Sequence, residues 1–186
     1  MPTFERCDKS VGEMASSLLR GFESHKPLVA AKVTIDFLYA YADRDNKGNR
    51  KNDALVLHGY PALGICKKTS LKDRAKGNGD AEILLDGDWW KEATDEQQRA
   101  LLDHELHHLF FTGDLDDLDR PILSIRQHDF NFGWFKIIAE RHGAASQEQM
   151  QAAVMMESSG QYFWPSIRGA ISGGSRTAKL ELRSAQ

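Results

Sequence analysis

The sequence predicts a single α+β domain: a small, mostly antiparallel sheet, one strongly capped helix and further helices packed around it. Three observations carry this expectation. Three short β-like runs follow one another between residues 33 and 86 with hairpin-length connections. A capped helix with an apolar stripe starts at Thr94. The 186-residue length and 41% apolar content suffice for one buried core. Residues 1–165 are read as the domain and 166–186 as a polar, weakly ordered tail, because Gly, Ser, Arg and Ala dominate there.

The elements follow in order. Val11, Met14, Leu18, Leu19 and Phe22 recur at helical spacing over residues 10–24, with Ser10 as N-cap and Glu13 completing a capping box. His25-Lys26-Pro27 reads as a linker. Val33, Ile35, Phe37, Tyr39 and Tyr41 alternate with Lys32, Thr34 and Asp36, the pattern of a half-buried strand. Arg44–Asn52 is a polar loop, and Leu55 to Cys66 holds a second β-like run. A basic, glycine-containing loop (Lys67–Asp80) leads to the third, Ala81–Asp86.

Thr94 and Gln97 form a capping box for a helix expected to run to Phe111, burying Ala100, Leu101, Leu102, Leu106, Leu109 and Phe110. Thr112-Gly113-Asp114 ends it, an acidic loop follows, and Pro121–Gln127 is partly β-like. A helix is expected from His128-Asp129 to His142, with Phe130, Trp134, Ile137 and Ile138 inward and Gly143 as C-cap. Ser146–Ser158 is a last helix.

Composition excludes some functions. Nucleic-acid binding is left open but unsupported by the net charge of -3: Lys67, Lys68, Lys72, Arg74 and Lys76 make a basic loop and Arg168, Arg176, Lys179 and Arg183 a basic tail. Cys7 and Cys66 are too few for a disulfide framework and read as reduced thiols. No secretory leader and no run of about 18 apolar residues is visible. A cytoplasmic location with no membrane partner is therefore expected.

The chemistry lies in His104-Glu105-Leu106-His107-His108, an H-E-x-x-H arrangement inside the capped helix. Residues four apart on an α-helix differ by only about 40° around its axis, so His104 and His108 can aim both imidazoles at one ion. Glu105 is then close enough to take a proton from water without ligating the ion. His107 could pair with His104 instead, but only the 104/108 pairing keeps Glu105 in the second position. A catalytic zinc takes three protein ligands. His128 is the leading third candidate, Asp129 an alternative ligand or a group that orients one, and Glu140 and His142 are further options.

The run Gln98–His108, preceded by Trp89-Trp90 and followed by Arg126-Gln127-His128-Asp129-Phe130 and Arg141-His142-Gly143, resembles the phage-type zinc metallopeptidases, with a looser similarity to SprT-like proteases. The resemblance covers roughly residues 10–145. It implies a zincin-like domain, one Zn2+ held by His104, His108 and His128, Glu105 as general base, a protein or peptide substrate, and the host cytoplasm if the chain is phage-encoded. It also implies that the strand before the active helix, through Glu82, Ile83, Leu84 and Leu85, pairs with an extended substrate. The aromatic segment Phe130-Asn131-Phe132-Gly133-Trp134 departs from the acidic residues expected after His-Asp. Arg126, Tyr162 and His142 are candidates for stabilising the oxyanion. The competing reading is a phage-encoded interaction or inhibitor protein with a structural or vestigial metal site and no turnover. It would tolerate Glu105→Gln, and a hydrolase would not.

Overall fold

The computed structural model describes residues 2–128 and 134–158. The chain opens with β1 (Thr3–Arg6), α1 (Lys9–Gly21), a 3-10 turn at Glu23–His25, and α2 (Lys26–Ala30). Next come β2 (Ile35–Tyr41), the two-residue strands β3 (Val56–Leu57) and β4 (Tyr60–Pro61), β5 (Gly64–Lys68) and α3 (Leu71–Ala75). Then follow β6 (Ala81–Asp86), α4 (Gly87–Glu92), α5 (Asp95–His108), β7 (Leu109–Leu115) and β8 (Pro121–Ile125). The last described helices are α6 (Lys136–His142) and α7 (Gln147–Ser158). This is the expected single α+β domain. Among the described residues no helix is long and apolar enough to cross a membrane.

The main sheet has the order β1-β2-β6-β5. Its outer ladders are antiparallel, but the central one is parallel, running from Ile35↔Ala81 to Ala40↔Asp86. A parallel ladder needs a long crossover, which here includes the β3–β4 hairpin, β5 and α3. With β2 on one side and β5 on the other, β6 has no edge left for a substrate. The expectation that Glu82, Ile83, Leu84 and Leu85 pair with a peptide is thereby overturned. The end of the sheet next to α5 is β5, with no strand on its far side among the described residues.

β6 reads AEILLD without polar alternation because both its faces are covered. Ile83 and Leu85 pack with Val11, Ala15 and Leu18 of α1 and Leu101, Leu102 and Leu106 of α5. Leu84 packs on the other face with Ala40, Ala54, Leu55 and Ile65. α5 lies so deep that every residue from Ala100 to His107 is buried, polar ones included.

Several boundaries differ from expectation. α1 is capped by Asp8, whose carboxylate accepts the Ser10 amide N–H, not by Ser10. His25-Lys26-Pro27 is no linker: Pro27 sits in the first turn of α2, where its missing N–H costs nothing. The capping box on α5 is as predicted: Gln97 N–H donates to Thr94 Oγ1 (3.3 Å) and Thr94 N–H to Gln97 Oε1 (2.9 Å). The helix stops at His108, because Leu109-Phe110-Phe111-Thr112 is a bulky, strand-favouring run that pairs with β8. Leu109 stays buried, but Phe110 is 46% exposed, which rules it out of the helix's buried stripe. His128 lies in irregular backbone just after β8, and α6 begins only at Lys136. The inward residue at its start is Phe135, fully buried, whereas Ile137 is exposed. Asp129, Phe130 to Gly133, Tyr162 and the 166–186 tail lie outside the described residues.

Candidate functional site

The turn of chain at the end of α5 builds the site. β7 leaves the helix directly, and β8 returns with Leu109 opposite Ile125. The pairing continues one step inward, where Arg126 N–H donates to the carbonyl of His108 (2.7 Å). The two residues after Arg126 therefore come back alongside the last turn of the helix. His104, His108 and His128 meet there, each offering one ring nitrogen, with those atoms all within 4.8 Å of one another. Nε2 of His128 lies 3.2 Å from Nε2 of His104.

The far sides of two rings are already engaged. His104 Nδ1–H donates to Glu148 Oε1 (2.6 Å) from the first turn of α7. His108 Nδ1–H donates to the carbonyl of Arg126 (2.8 Å). Such bonds fix the tautomer and leave each Nε2 lone pair for another partner. A tetrahedral ion with zinc-to-nitrogen distances of 2.0–2.1 Å separates its nitrogens by roughly 3.3 Å, close to the His104–His128 spacing. The donor set fits a divalent ion of zinc type. Phe135 wedges beneath all three rings, its centroid 5.1 Å from that of His104, 4.7 Å from His108 and 4.9 Å from His128.

Electrostatics sort the groups. Burial pushes the His108 pKa down to about 4; the hydrogen bond to Arg126 opposes this, while the fields of His104, His128 and Arg126 add to it. Its ring is neutral at neutral pH, as a ligand must be. Burial would also lower His104, but the bond to Glu148 and the charges of Glu105, Glu148 and Asp103 outweigh it and raise its pKa. Glu105 is buried and its pKa rises to about 7, chiefly by desolvation, with Glu148 adding and His104 and the Cys66 backbone N–H opposing. A carboxyl group balanced near neutrality can both take and return a proton.

Gly64 of β5 makes room for that carboxyl. A Cβ there would overlap Glu105 Oε1 and lie 2.7 Å from its Cδ. The three histidines and Glu105 line a cleft of about 370 Å³ together with Gly64, Ile65 and Cys66 of β5 and with Arg126, Trp134 and Gln147.

His107 is not in the triad. Arg126 Nη1 donates to its Nε2 (2.8 Å) and to its carbonyl (3.1 Å), and its Nδ1 is buried without a partner among the described residues. Burial, with Arg126, His25 and Arg141, lowers its pKa to about 3. His142 is engaged elsewhere, donating from Nε2 to Asp103 Oδ2 (2.8 Å). Glu140 is exposed and paired with Lys136 (3.4 Å). Of the oxyanion candidates, Arg126 lines the cleft.

Sequence reasoning missed Glu148, Gly64 and Phe135. Glu148 lies 44 residues from its partner and carries no local signal. Gly64 sits in a strand, and a strand glycine does signal close approach of another group.

A family model described as "Putative phage metallopeptidase" matches residues 3–157 of the 186. No curated protein and no solved structure matches the chain. The chain belongs to that family.

Proposed function

We propose that this member of the phage metallopeptidase family is a zinc-dependent peptidase in which His104, His108 and His128 hold one ion and Glu105 is the general base. One observation carries the reading: Nδ1 of His104 and of His108 is tied back to an oxygen, and a nitrogen of His128 approaches Nε2 of His104 to 3.2 Å. Three neutral imidazoles beside an uncoordinated carboxylate suit zinc. The ion, when bound, supplies Lewis acidity to water and to a carbonyl oxygen.

The chain's own residues do the rest. Glu105, buried beside His104 and under Gly64, accepts a proton from water and returns it to the leaving amine. Glu148 and the Arg126 carbonyl hold the His104 and His108 rings in the productive orientation. The Arg126 guanidinium is the candidate donor to the developing oxyanion. β5, the terminal strand along the cleft, takes over the main-chain pairing expected of β6.

The test is a proteolysis screen of the full chain, loaded with zinc, against denatured proteins and read as new peptide termini by mass spectrometry. Cleavage is expected, falling about 10²–10⁴-fold in Glu105→Gln while the ion is retained. Cleavage that survives in Glu105→Gln contradicts the mechanism. Ion binding with no cleavage of any substrate contradicts the peptidase reading and favours an interaction protein.

A further inference from the structure

The β3–β4 hairpin lines the same cleft, and nothing in the mechanism uses it. Its strands are two residues each, joined by His58 and Gly59, both with positive φ (51° and 85°). Two successive positive φ values are what a tight two-residue hairpin needs to match strand twist. Leu57 and Tyr60 are directly paired, so their side chains share one face. Tyr60 is 75% exposed and Leu57 44%. This apolar surface contributes little to the core, and such a patch marks a contact surface.

Leu57 and Tyr60 line the cleft together with His104 and Glu105. Ile125 and Trp134 add further apolar lining to the same cleft. Imidazoles apart, the only formal charges among the described lining residues are Glu105, buried at the floor, and Arg126. The cleft volume, about 370 Å³, admits a short segment, not a folded surface. We propose that this hairpin is a gripping lip that selects extended peptide segments with bulky apolar side chains, such as Leu, Phe or Tyr, next to the bond presented to Glu105. Its continuity with the histidine cleft argues for a substrate segment as occupant, and the scarcity of charge argues for an apolar one. The inference rests on the peptidase reading for its meaning, but it predicts binding as well as turnover.

The experiment uses the full-length, zinc-loaded Glu105→Gln chain, which binds without cleaving, and fluorescent peptides of equal length carrying Leu and Phe, Ser, or Asp at the central positions. The Leu/Phe peptides are expected to bind roughly tenfold or more tightly than the Ser or Asp peptides. Adding Leu57→Ser and Tyr60→Ser to that chain should erase the preference while leaving metal content unchanged; both residues are exposed, so folding is not at stake. The same pair in the otherwise native chain should raise KM for Leu/Phe peptides more than it lowers kcat. Equal affinity for all three peptides, or a preference that persists in the double variant, overturns the proposal. So does a change of oligomeric state in that variant, which would assign the patch to a second copy. If the preference is present and hairpin-dependent but no peptide is cleaved by the native chain, the lip stands and the peptidase reading falls.

Discussion

Two neighbouring faces of α5 carry buried polar clusters of similar composition, and they differ in where their bonding capacity points. On one face Asp103 is fully buried and accepts from His25 Nε2 (2.6 Å), His142 Nε2 (2.8 Å) and Arg141 Nη1 (3.2 Å). Arg141 also donates to Ser24 Oγ (2.9 Å). This cluster ties α5 to the segment after α1 and to α6, and its groups satisfy one another. On the next face His104 and His108 spend one nitrogen each on a fixed oxygen and turn the other towards His128. Both clusters offset desolvation with internal bonds, but only the second keeps ring-nitrogen lone pairs in reserve, aimed into a cleft. A closed cluster is architecture, and an open one is a candidate site. Histidine count does not separate them; the direction of the unused nitrogens does.

Breaking the closed cluster should give the largest change in stability. Asp103→Asn leaves His25, His142 and Arg141 without their carboxylate, and removing one partner from a buried ion pair costs about 3–5 kcal/mol. Chemical denaturation should show the loss. If Asp103→Asn is as stable as the native chain, the cluster is not what joins these elements.

On the open face, changes should spare the fold and alter chemistry. Gly64→Ala pushes into the Glu105 carboxyl, and a displacement of about 1 Å can cost roughly 10²-fold in rate. Steady-state assays should show lowered kcat with full zinc content; unchanged kcat would mean the carboxyl position is not critical. Glu148→Gln removes the charge behind His104, and changes of this kind cost about 10–100-fold in metal affinity. Competition with a chelating dye measures this, and an unaltered affinity would reduce Glu148 to a packing residue.

The smallest effect is a pH dependence. Burial works to raise the Asp103 pKa, but the hydrogen bonds from His142 and His25 and the charges of His25 and Arg141 hold it well below the carboxylate range. A depressed acid contributes stability that is complete above its unfolded pKa of about 3.9 and lost as pH falls through the native value. Unfolding free energy should therefore decline below about pH 4, with a shallower slope in Asp103→Asn. Parallel slopes would show that other carboxylates govern acid unfolding.

What the sequence revealed tracks the range of the interaction. The capping box of Thr94 and Gln97 and the four-residue spacing of His104 and His108 are local, and both are legible from helix geometry alone. His128 was a candidate by residue type, but its setting was not legible. The apolar run through Leu109 and Phe110 continues the helical period, and only pairing with Leu123 to Ile125 turns it into a strand. That hairpin, not a helix start, returns His128 to α5. The parallel pairing of β2 with β6 was hidden because the crossover between them reads as a chain of hairpins. β1 has four exposed residues and so leaves no burial pattern to read. Glu148 and Asp103 depend on partners tens of residues away, which no periodicity reports.

The most direct test is metal stoichiometry with X-ray absorption on the purified chain and on His128→Ala. The account predicts one tightly held zinc per native chain, with three nitrogen ligands at about 2.0–2.1 Å, and loss of tight binding in the variant. A native chain that takes up no ion in excess zinc, or a His128→Ala chain that holds it just as tightly, would contradict the account.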